Sequence, residues 1–187
     1  MLVFSSVTYT EVNKMSKRPA KCYTRIDRPP YTRREYVRGG PDPKIRIYDM
    51  GNRKAKFNLR GDLIIEERCQ VSHKALEALR ISINRNLTNK IGRDDYHFVI
   101  HVKPFHIIRE NRMMAFAGAD RLQDGMRKAF GKPVGRVARV RDGQVICSVW
   151  TNDTPRNREL LKDILRIGGM KLPRPARVKI VSEENKN

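Results

Sequence analysis

The stretch Tyr96-His97-Phe98-Val99-Ile100-His101-Val102-Lys103 alternates between two kinds of side chain. Every second residue, from Tyr96 to Val102, is large and apolar, and most of the others are polar. Because successive side chains of a strand point to opposite faces, this pattern predicts a strand with one face in a core. Pro104 lacks an amide hydrogen and is expected to end the strand.

A helix is predicted on the N-terminal side of this strand. Its apolar side chains recur at intervals of three or four residues, which is the spacing of one helical face. These residues are Leu76, Leu79, Ile83 and Leu87. Ser72 is placed to cap the helix at its N-terminus, and Gly92 is expected to end it. The apolar stripe should lie in the core, which leaves the basic side of the helix free to contact nucleic acid.

Two more strands are predicted after the central one, at Gly135–Val140 and Gln144–Trp150. The residues between them are Arg141-Asp142-Gly143. Asp-Gly between two apolar runs is a strong hairpin signal, because both residues tolerate the positive φ of a tight turn. The two strands are therefore expected to pair as a hairpin.

A second helix and a last strand follow. Asp153 or Thr154 is the candidate cap, and Pro155 suits the first helical turn. The apolar face is formed by Leu160, Leu161, Ile164 and Leu165. Gly168-Gly169 should end the helix, and a strand is predicted near Arg177–Val181.

Upstream, strands are predicted at Lys44–Asp49, where Ile45 and Ile47 alternate with polar neighbours, and at Leu63–Ile65. Each predicted helix lies between strands. The sequence therefore predicts an α+β fold over residues 45–181, in which two main helices cover a mostly antiparallel sheet as a two-layer sandwich.

Residues 105–133 differ from the rest, since they hold three glycines, three methionines and six basic residues. Residues 107–123 are predicted to form a long mobile loop, and Asp120 could cap one or two helical turns that extend to Phe130. Glycine permits close approach of the backbone to a ligand, and the basic side chains suit phosphate contacts.

Residues 16–44 form a dense basic segment with interleaved tyrosines and prolines and no apolar period. Such a segment cannot bury a core of its own. Proline holds it extended and reduces the entropy lost on docking, arginine can fork onto phosphates, and tyrosine can stack on bases. A solvated linker is the alternative, but the basic and aromatic pattern favours RNA.

The two ends of the chain differ from this segment. Residues 1–15 are an atypical extension, nearly neutral over Met1–Lys14 and rich in Ser, Thr and Val. They are open to three interpretations: a short strand, a disordered tail, or a start of translation at Met15 instead of Met1. Residues 182–187 are predicted to be a polar tail.

The net charge of the chain is +20, from 40 Lys and Arg against 20 Asp and Glu. Such an excess repels itself in the folded state, and a polyanionic partner offsets this cost. An acidic membrane would require a basic amphipathic helix, a lipidation site or a long apolar span, and the longest nearly uncharged stretch, Met1–Thr10, is too short to span. Nucleic acid is the favoured partner, and no membrane association is expected.

Cysteine and histidine do not predict a metal site or any other cofactor. Cys22, Cys69 and Cys147 are far apart, which is typical of reduced, buried thiols in a cytosolic protein. His97 and His101 lie four residues apart on the predicted strand, a separation of about 13 Å, which is too far to share one ion. Surface or RNA-facing histidines are expected instead.

Several blocks, in order along the chain, resemble the large-subunit ribosomal protein L-sixteen family in its archaeal and eukaryotic branch, L-ten-e. The N-terminal blocks are Arg18-Pro19-Ala20-Lys21-Cys22-Tyr23, Tyr31-Thr32-Arg33-Arg34-Glu35-Tyr36 and Pro41-Asp42-Pro43-Lys44-Ile45. The central blocks are His101-Val102-Lys103-Pro104-Phe105-His106-Ile107-Ile108-Arg109, Ala117-Gly118-Ala119-Asp120-Arg121-Leu122-Gln123, Gly125-Met126-Arg127, Ala129-Phe130-Gly131-Lys132-Pro133, Val137-Ala138-Arg139-Val140 and Gly143-Gln144-Val145-Ile146. The similarity covers about Ser16–Val181, and the short C-terminus favours the archaeal branch.

The resemblance implies an α/β-hammerhead fold and a cytoplasmic, non-enzymatic role in translation. The partners implied are large-subunit rRNA (23S, with 5S as a further candidate), tRNA and neighbouring ribosomal proteins, and no homo-oligomer is expected. The family's loop reaches toward the tRNA acceptor arm, and the family joins late in subunit assembly. The expected rRNA-binding residues are Lys17, Arg18, Lys21, Arg25, Arg28, Arg33, Arg34, Lys44, Arg46 and Arg53. The expected tRNA-proximal residues are Arg109, Arg112, Met113, Arg121, Arg127 and Lys128.

Two other functions compete with this hypothesis. An RNA-modifying or RNA-cleaving enzyme could use His106, Glu110 and Asp120, since His–carboxylate pairs perform acid–base chemistry. No phosphate-binding loop, metal-ligand spacing or nucleophile elbow accompanies them. A ribosome-independent RNA chaperone is the other alternative, and sedimentation with large subunits would distinguish it.

Overall fold

The computed structural model describes residues 23–32, 34–37, 39–111 and 129–182, with Arg34 described at its backbone. Within these ranges the chain forms two α-helices and eight strands, besides a short 3-10 helix at Arg34–Tyr36. The helices are α1 (His73–Lys90) and α2 (Pro155–Gly169). The strands are β1 (Asp49–Gly51), β2 (Leu59–Ile65), β3 (Cys69–Ser72), β4 (Tyr96–Ile100), β5 (His106–Glu110), β6 (Lys132–Val140), β7 (Val145–Thr151) and β8 (Ala176–Ser182).

The strands form two sheets. The large sheet has five strands in the order β1-β4-β7-β2-β8, and the small sheet has three in the order β3-β6-β5. Every pair in both sheets is antiparallel. The predicted α+β class with two main helices and antiparallel strands is confirmed, but the strands are divided between two sheets instead of forming one.

Both helices form where the apolar periodicity predicted them. The α1 side chains Leu76, Leu79, Ile83 and Leu87 are fully buried. Ser72 caps α1 by accepting from the Ala75 amide at 3.1 Å. Of the two candidate caps of α2, Thr154 performs the role, with the Asn157 amide 3.2 Å from its Oγ1. The sequence pattern was reliable here because helix periods and caps are local features.

The two helices pack on each other and on one face of the large sheet. The helix α2 ends at Gly169, as the pair Gly168-Gly169 predicted, and a Cβ on Gly168 would come within 2.6 Å of Ile83 Cδ1. A Cβ on Gly61 of β2 would meet Leu161 of α2 at 2.7 Å. Both glycines therefore allow the layers to approach closely. The opposite face of the large sheet carries no helix in the part of the chain that the structure describes.

The predicted hairpin at 135–150 is wrong, although its turn is correct. Gly143 takes the positive φ expected of the Asp-Gly turn, at 72°. However, β6 pairs with β3 and β5, whereas β7 pairs with β2 and β4. The turn residues bond instead to the end of β2, with the Gly143 amide donating to the Ile65 carbonyl at 2.9 Å. The chain therefore passes from the small sheet to the large sheet at this turn.

The strand predicted at Lys44–Asp49 is also wrong. Ile45 is 1% exposed but Ile47 is 53% exposed, so the two do not share a buried face. The strand begins only at Asp49. The strand at 96–103 ends earlier than predicted, at Ile100, although the predicted apolar face is buried as far as Val102. The strands predicted at Leu63–Ile65 and Arg177–Val181 form within β2 and β8.

The predicted loop at 107–123 requires a correction at its start. Ile107 is 2% exposed and belongs to β5, which runs to Glu110 and pairs with β6. The strand escaped prediction because β5 has no clear alternation of buried and exposed side chains. Residues 112–123 of the predicted loop lie outside the described residues, as do residues 1–15, and so do the helical turns predicted from Asp120 to Phe130 as far as residue 128. The polar tail predicted at 182–187 requires a correction at its start, because Ser182 is the last residue of β8, and residues 183–187 lie outside the described residues. Neither helix in the described ranges has the length and apolar character needed to cross a bilayer.

Candidate nucleic-acid interface

The basic N-terminal segment lies across the small sheet. We call residues 23–44 the strap, described at 23–32, 34–37 and 39–44. At one sheet edge, the Tyr23 carbonyl accepts from the amide of Gln70 in β3 at 3.2 Å. At the other edge, the Tyr31 carbonyl accepts from the amide of Ile107 in β5 at 3.0 Å. The strap therefore bonds to both outer strands of the sheet.

Between these edges, side chains of the sheet bind the strap by its backbone. The Arg139 guanidinium, on the central strand β6, donates to the carbonyls of Ile26, Arg28 and Pro29. The amide nitrogen of the Gln70 side chain donates to the Arg25 carbonyl at 2.6 Å. Farther along, Arg136 Nε donates to the Pro41 carbonyl at 2.9 Å, and the Lys44 amide donates to His73 Nδ1 at 2.8 Å. The carbonyls of the strap thus face the domain.

The side chains of Arg25 and Arg28, the strap arginines whose side chains the structure describes, lie on its outer side. Arg25 and Arg28 are exposed, and so are Lys44, the last residue of the strap, and Arg46 just beyond it. None of the four has an acidic ion-pair partner within the described residues. Cations held in this way on a fixed backbone are placed to neutralise phosphates. Their contact with rRNA stays a prediction.

Arg53 differs from these four. Its Nε lies 2.9 Å from Asp49 Oδ2, although its side chain is 75% exposed. An exposed pair of this kind contributes little stability, so a phosphate could replace the carboxylate. The other predicted rRNA-binding residues, apart from Arg34, whose backbone alone is described, lie outside the described residues: Lys17, Arg18, Lys21 and Arg33.

Arg109, predicted to be a loop residue, lies in β5 and contacts two aromatic rings. Its guanidinium carbon is 3.5 Å from the ring centroid of Phe130 and 4.4 Å from that of Tyr31. The two rings meet edge to face, with centroids 5.6 Å apart. This cation–π cluster joins the strap to the two chain segments that flank residues 112–128. The other predicted tRNA-proximal residues lie outside the described residues: Arg112, Met113, Arg121, Arg127 and Lys128.

His106 holds the strap at its crossing of β5. The Tyr31 amide donates to His106 Nδ1 at 2.8 Å, which requires that nitrogen to be unprotonated. Burial, and then the nearby Arg139 and Arg109, lowers the pKa of His106 to about 4. The imidazole is therefore neutral at pH 7 and acts as an acceptor.

Glu110, the carboxylate named with His106 in the enzyme hypothesis, also binds the strap. It accepts a hydrogen bond from the Tyr23 hydroxyl. Sequence reasoning missed the whole set of anchors on the domain: Gln70, His73, His106, Glu110, Arg136 and Arg139. They come from different strands and a helix, so no spacing in the sequence relates them.

The remaining candidate ligands contact other protein groups. His97 Nε2 lies 2.7 Å from Asp49 Oδ1, and His101 Nε2 lies 2.8 Å from Ser148 Oγ. Cys69 and Cys147 are buried free thiols, as predicted, and burial raises the pKa of Cys69 to about 11. Cys22 lies outside the described residues. Among the described residues, no three His, Cys, Asp or Glu side chains are arranged to hold a metal ion.

Comparison with known proteins identifies the family. Residues 26–179 match the family model described as ribosomal protein L16p/L10e. A protein of Staphylothermus marinus named large ribosomal subunit protein uL16 is 49% identical over 164 residues, which covers 88% of this chain and 93% of the relative. Proteins of the same name from Hyperthermus butylicus and Methanocella arvoryzae are each 45% identical, over 89% and 88% of this chain and 94% of each relative. These relatives are archaeal, in agreement with the branch expected from the sequence. The extent and identity of these matches show that this chain belongs to the L16p/L10e family of ribosomal proteins.

Proposed function

We propose that this chain is a structural constituent of the large ribosomal subunit that binds large-subunit rRNA through its strap. One observation carries the proposal: the domain binds the strap by its carbonyls while Arg25 and Arg28 face solvent. A strap that merely covered a sheet would not need exposed arginines that have no acidic partner among the described residues. The family membership and the net charge of +20 support the same partner.

The anchoring explains how a short extended segment can bind RNA tightly. Fixing the backbone of one residue costs about 1–2 kcal/mol in conformational entropy. The hydrogen bonds to Arg139, Gln70 and His106 meet that cost within the folded protein, before RNA arrives. RNA contacts by the strap then add affinity at a smaller entropic cost. The rRNA involved is 23S, with 5S as a further candidate.

The second part of the proposal concerns tRNA. Residues 112–128 would lie near the acceptor arm of tRNA and help to position it, as the family's loop does. In support, the described residues that flank this segment are joined by the contact between Arg109 and Phe130. Because the two ends of the segment would be held at a fixed position, its basic residues could contact tRNA from a defined place on the domain. These residues are Arg112, Arg121, Arg127 and Lys128. We also propose that the chain joins the large subunit late in its assembly.

A catalytic role is not proposed. His106 and Glu110 both bind the strap, and His106 has its unprotonated nitrogen occupied by the Tyr31 amide. A ribosome-independent RNA chaperone remains the competing function. The proposed location is the ribosome, in the cytoplasm, beside neighbouring ribosomal proteins.

Sedimentation distinguishes these functions. We expect the tagged chain, expressed in an archaeal cell, to migrate with large subunits in a sucrose gradient and to leave them only at high salt. The variant Arg25→Gln/Arg28→Gln should leave at lower salt than the parent. Lys162→Gln/Arg166→Gln removes the same charge from exposed positions on α2 and serves as the matched control. A pool that stays at the top of the gradient in low salt would favour the chaperone instead.

A further inference from the structure

The helix-free face of the large sheet carries a row of three planar side chains. His97, Trp150 and Arg60 lie directly opposite one another on the adjacent strands β4, β7 and β2. The rings of His97 and Trp150 are stacked, with centroids 5.1 Å apart and planes 24° apart. The Arg60 guanidinium carbon is 5.4 Å from the centroid of the indole ring. We call these three side chains the Trp150 row.

Hydrogen bonds on both sides fix the row. His97 Nε2 lies 2.7 Å from Asp49 Oδ1, and Arg60 Nε donates to Asp62 Oδ1 at 2.9 Å. Ser148 Oγ also donates to Asp62, at 2.5 Å. The planar groups are thus held in place before any ligand binds, which reduces the entropy that binding would cost.

The charges around the row favour an anion. Arg53 and Arg60 lie near it, and Lys179 of β8 is directly opposite Asp62 across the β2–β8 pair. The two carboxylates on this face, Asp49 and Asp62, are each already bound to a basic side chain. Since Arg53 and Arg60 are the partners of these carboxylates, the net positive charge of the row comes from Lys179, which is exposed and has no acidic partner within the described residues.

Trp150 itself indicates what kind of anion would fit. It is the only tryptophan in the chain and is only partly buried, although most of its strand is fully buried. Its indole nitrogen has no hydrogen-bond partner within the ranges that the structure describes. Proteins bind unpaired nucleotides by stacking bases on aromatic rings and on arginine guanidinium planes beside cations. Because His97 and Arg60 lie against the indole from the two neighbouring strands, a base would contact the row as a whole and not a free face of Trp150. The core of a protein interface is depleted of lysine and carboxylates, whereas Asp49, Asp62 and Lys179 surround Trp150 on this face.

We propose that the Trp150 row is a second RNA-contact surface, separate from the strap, that takes an unpaired nucleotide. The base would contact the planar row, and the adjacent phosphates would contact Arg53 and Lys179. The inference rests on the proposed RNA-binding function but assigns it to a different sheet. It therefore predicts single-stranded segments as the ligand of this face.

The single tryptophan makes the test direct. Titration of the folded chain with a single-stranded oligoadenylate should quench Trp150 fluorescence, whereas an RNA duplex of equal length should quench it much less. The variant Arg53→Gln/Lys179→Gln keeps the indole reporter and should bind the oligonucleotide about tenfold more weakly. Trp150→Leu, checked for folding by circular dichroism, should lose a similar factor when binding is followed by anisotropy of a labelled oligonucleotide.

The strap variant separates the two proposals. Arg25→Gln/Arg28→Gln should bind rRNA more weakly yet keep the quenching by oligoadenylate. Equal quenching by duplex and single strand, or unchanged affinity in both row variants, would overturn the proposal that the Trp150 row binds RNA. Neither result would affect the proposal that the strap binds rRNA. If the strap variant also retained full affinity for rRNA, the proposed function would fail independently.

Discussion

The guanidinium of Arg109 lies 3.5 Å from the ring centroid of Phe130, so the two described segments that flank residues 112–128 are in contact. Tyr31 of the strap joins the same cluster, 4.4 Å from Arg109. The proposed rRNA-binding strap and the base of the proposed tRNA-proximal segment therefore share one set of side chains.

Replacing the cation of this cluster should have two effects. Arg109→Gln removes the contacts with both rings, and we expect the free energy of unfolding to fall by about 1 kcal/mol. Chemical denaturation measures this loss. Subunits that carry the variant should also bind tRNA more weakly. Lys132→Gln, an exposed cation on β6 close by, is the control and should change neither quantity.

Because β5 extends to Glu110, the effect of a loop deletion should depend on the residue at which the deletion begins. Replacing residues 113–126 by a short Gly-Ser linker should leave the melting temperature of the domain nearly unchanged and impair tRNA-dependent steps. A deletion that begins at Arg109 removes two residues of β5 that pair with β6, and should destabilise the domain strongly. Equal melting temperatures for the two deletions would show that the end of β5 contributes no stability.

Arg139 should control the docking of the strap. Arg139→Gln removes the guanidinium that binds three strap carbonyls, and we expect a loss of about 2 kcal/mol in stability. The strap should then be cleaved faster by trypsin after Arg25, since the bond after Arg28 leads to Pro29 and resists trypsin. Arg141→Gln, two residues away and exposed, should leave the cleavage rate unchanged. Identical cleavage in all three proteins would mean that Arg139 does not hold the strap.

The lowered pKa of His106, about 4, predicts a pH dependence of strap docking. The unfolded chain binds more protons than the folded chain between the ordinary histidine pKa of about 6.5 and this value. The stability contribution is therefore complete above pH of about 6.5 and is lost as the pH falls toward 4. Allowing for solvent screening of a half-buried ring, we expect a loss of about 1–2 kcal/mol.

The variant His106→Gln separates the loss of stability caused by protonation of His106 from the effects of other ionisable groups. The variant has no titratable ring at this position, so the difference in stability between parent and variant should shrink as the pH falls from 7 to 4. His101, whose pKa burial also lowers, is present in both proteins and cancels in the comparison. A difference that stays constant with pH would contradict the assignment to His106.

Local features of the fold could be read from the sequence, and long-range ones could not. The stripe of Leu76, Leu79 and Ile83 and the cap at Ser72 depend on residues a few positions apart, which is why α1 was predicted correctly. The Asp-Gly turn is equally local, but the partners of β6 are decided by distant strands. The same Asp-Gly turn can join two paired strands or carry the chain from one sheet to another. The predicted pairing of β6 with β7 was therefore wrong although the turn was right.

The candidate site divides in the same way. The exposed arginines of the strap could be predicted from the basic and aromatic composition of residues 16–44. Arg139 stands among other arginines of β6, and nothing in that pattern distinguishes a residue that binds carbonyls from one that faces solvent. The sequence predicts a loop at Arg109 because the contacts of this residue with Phe130 and Tyr31 exist only after folding.

The salt dependence of rRNA binding tests the central claim most directly. For the parent chain, the logarithm of the affinity for large-subunit rRNA should fall linearly with the logarithm of salt concentration. Arg25→Gln/Arg28→Gln should bind more weakly, with a slope smaller by about 2, since each arginine is expected to neutralise about one phosphate. Lys162→Gln/Arg166→Gln should keep the parent slope. A strap variant with an unchanged slope and affinity would contradict the account.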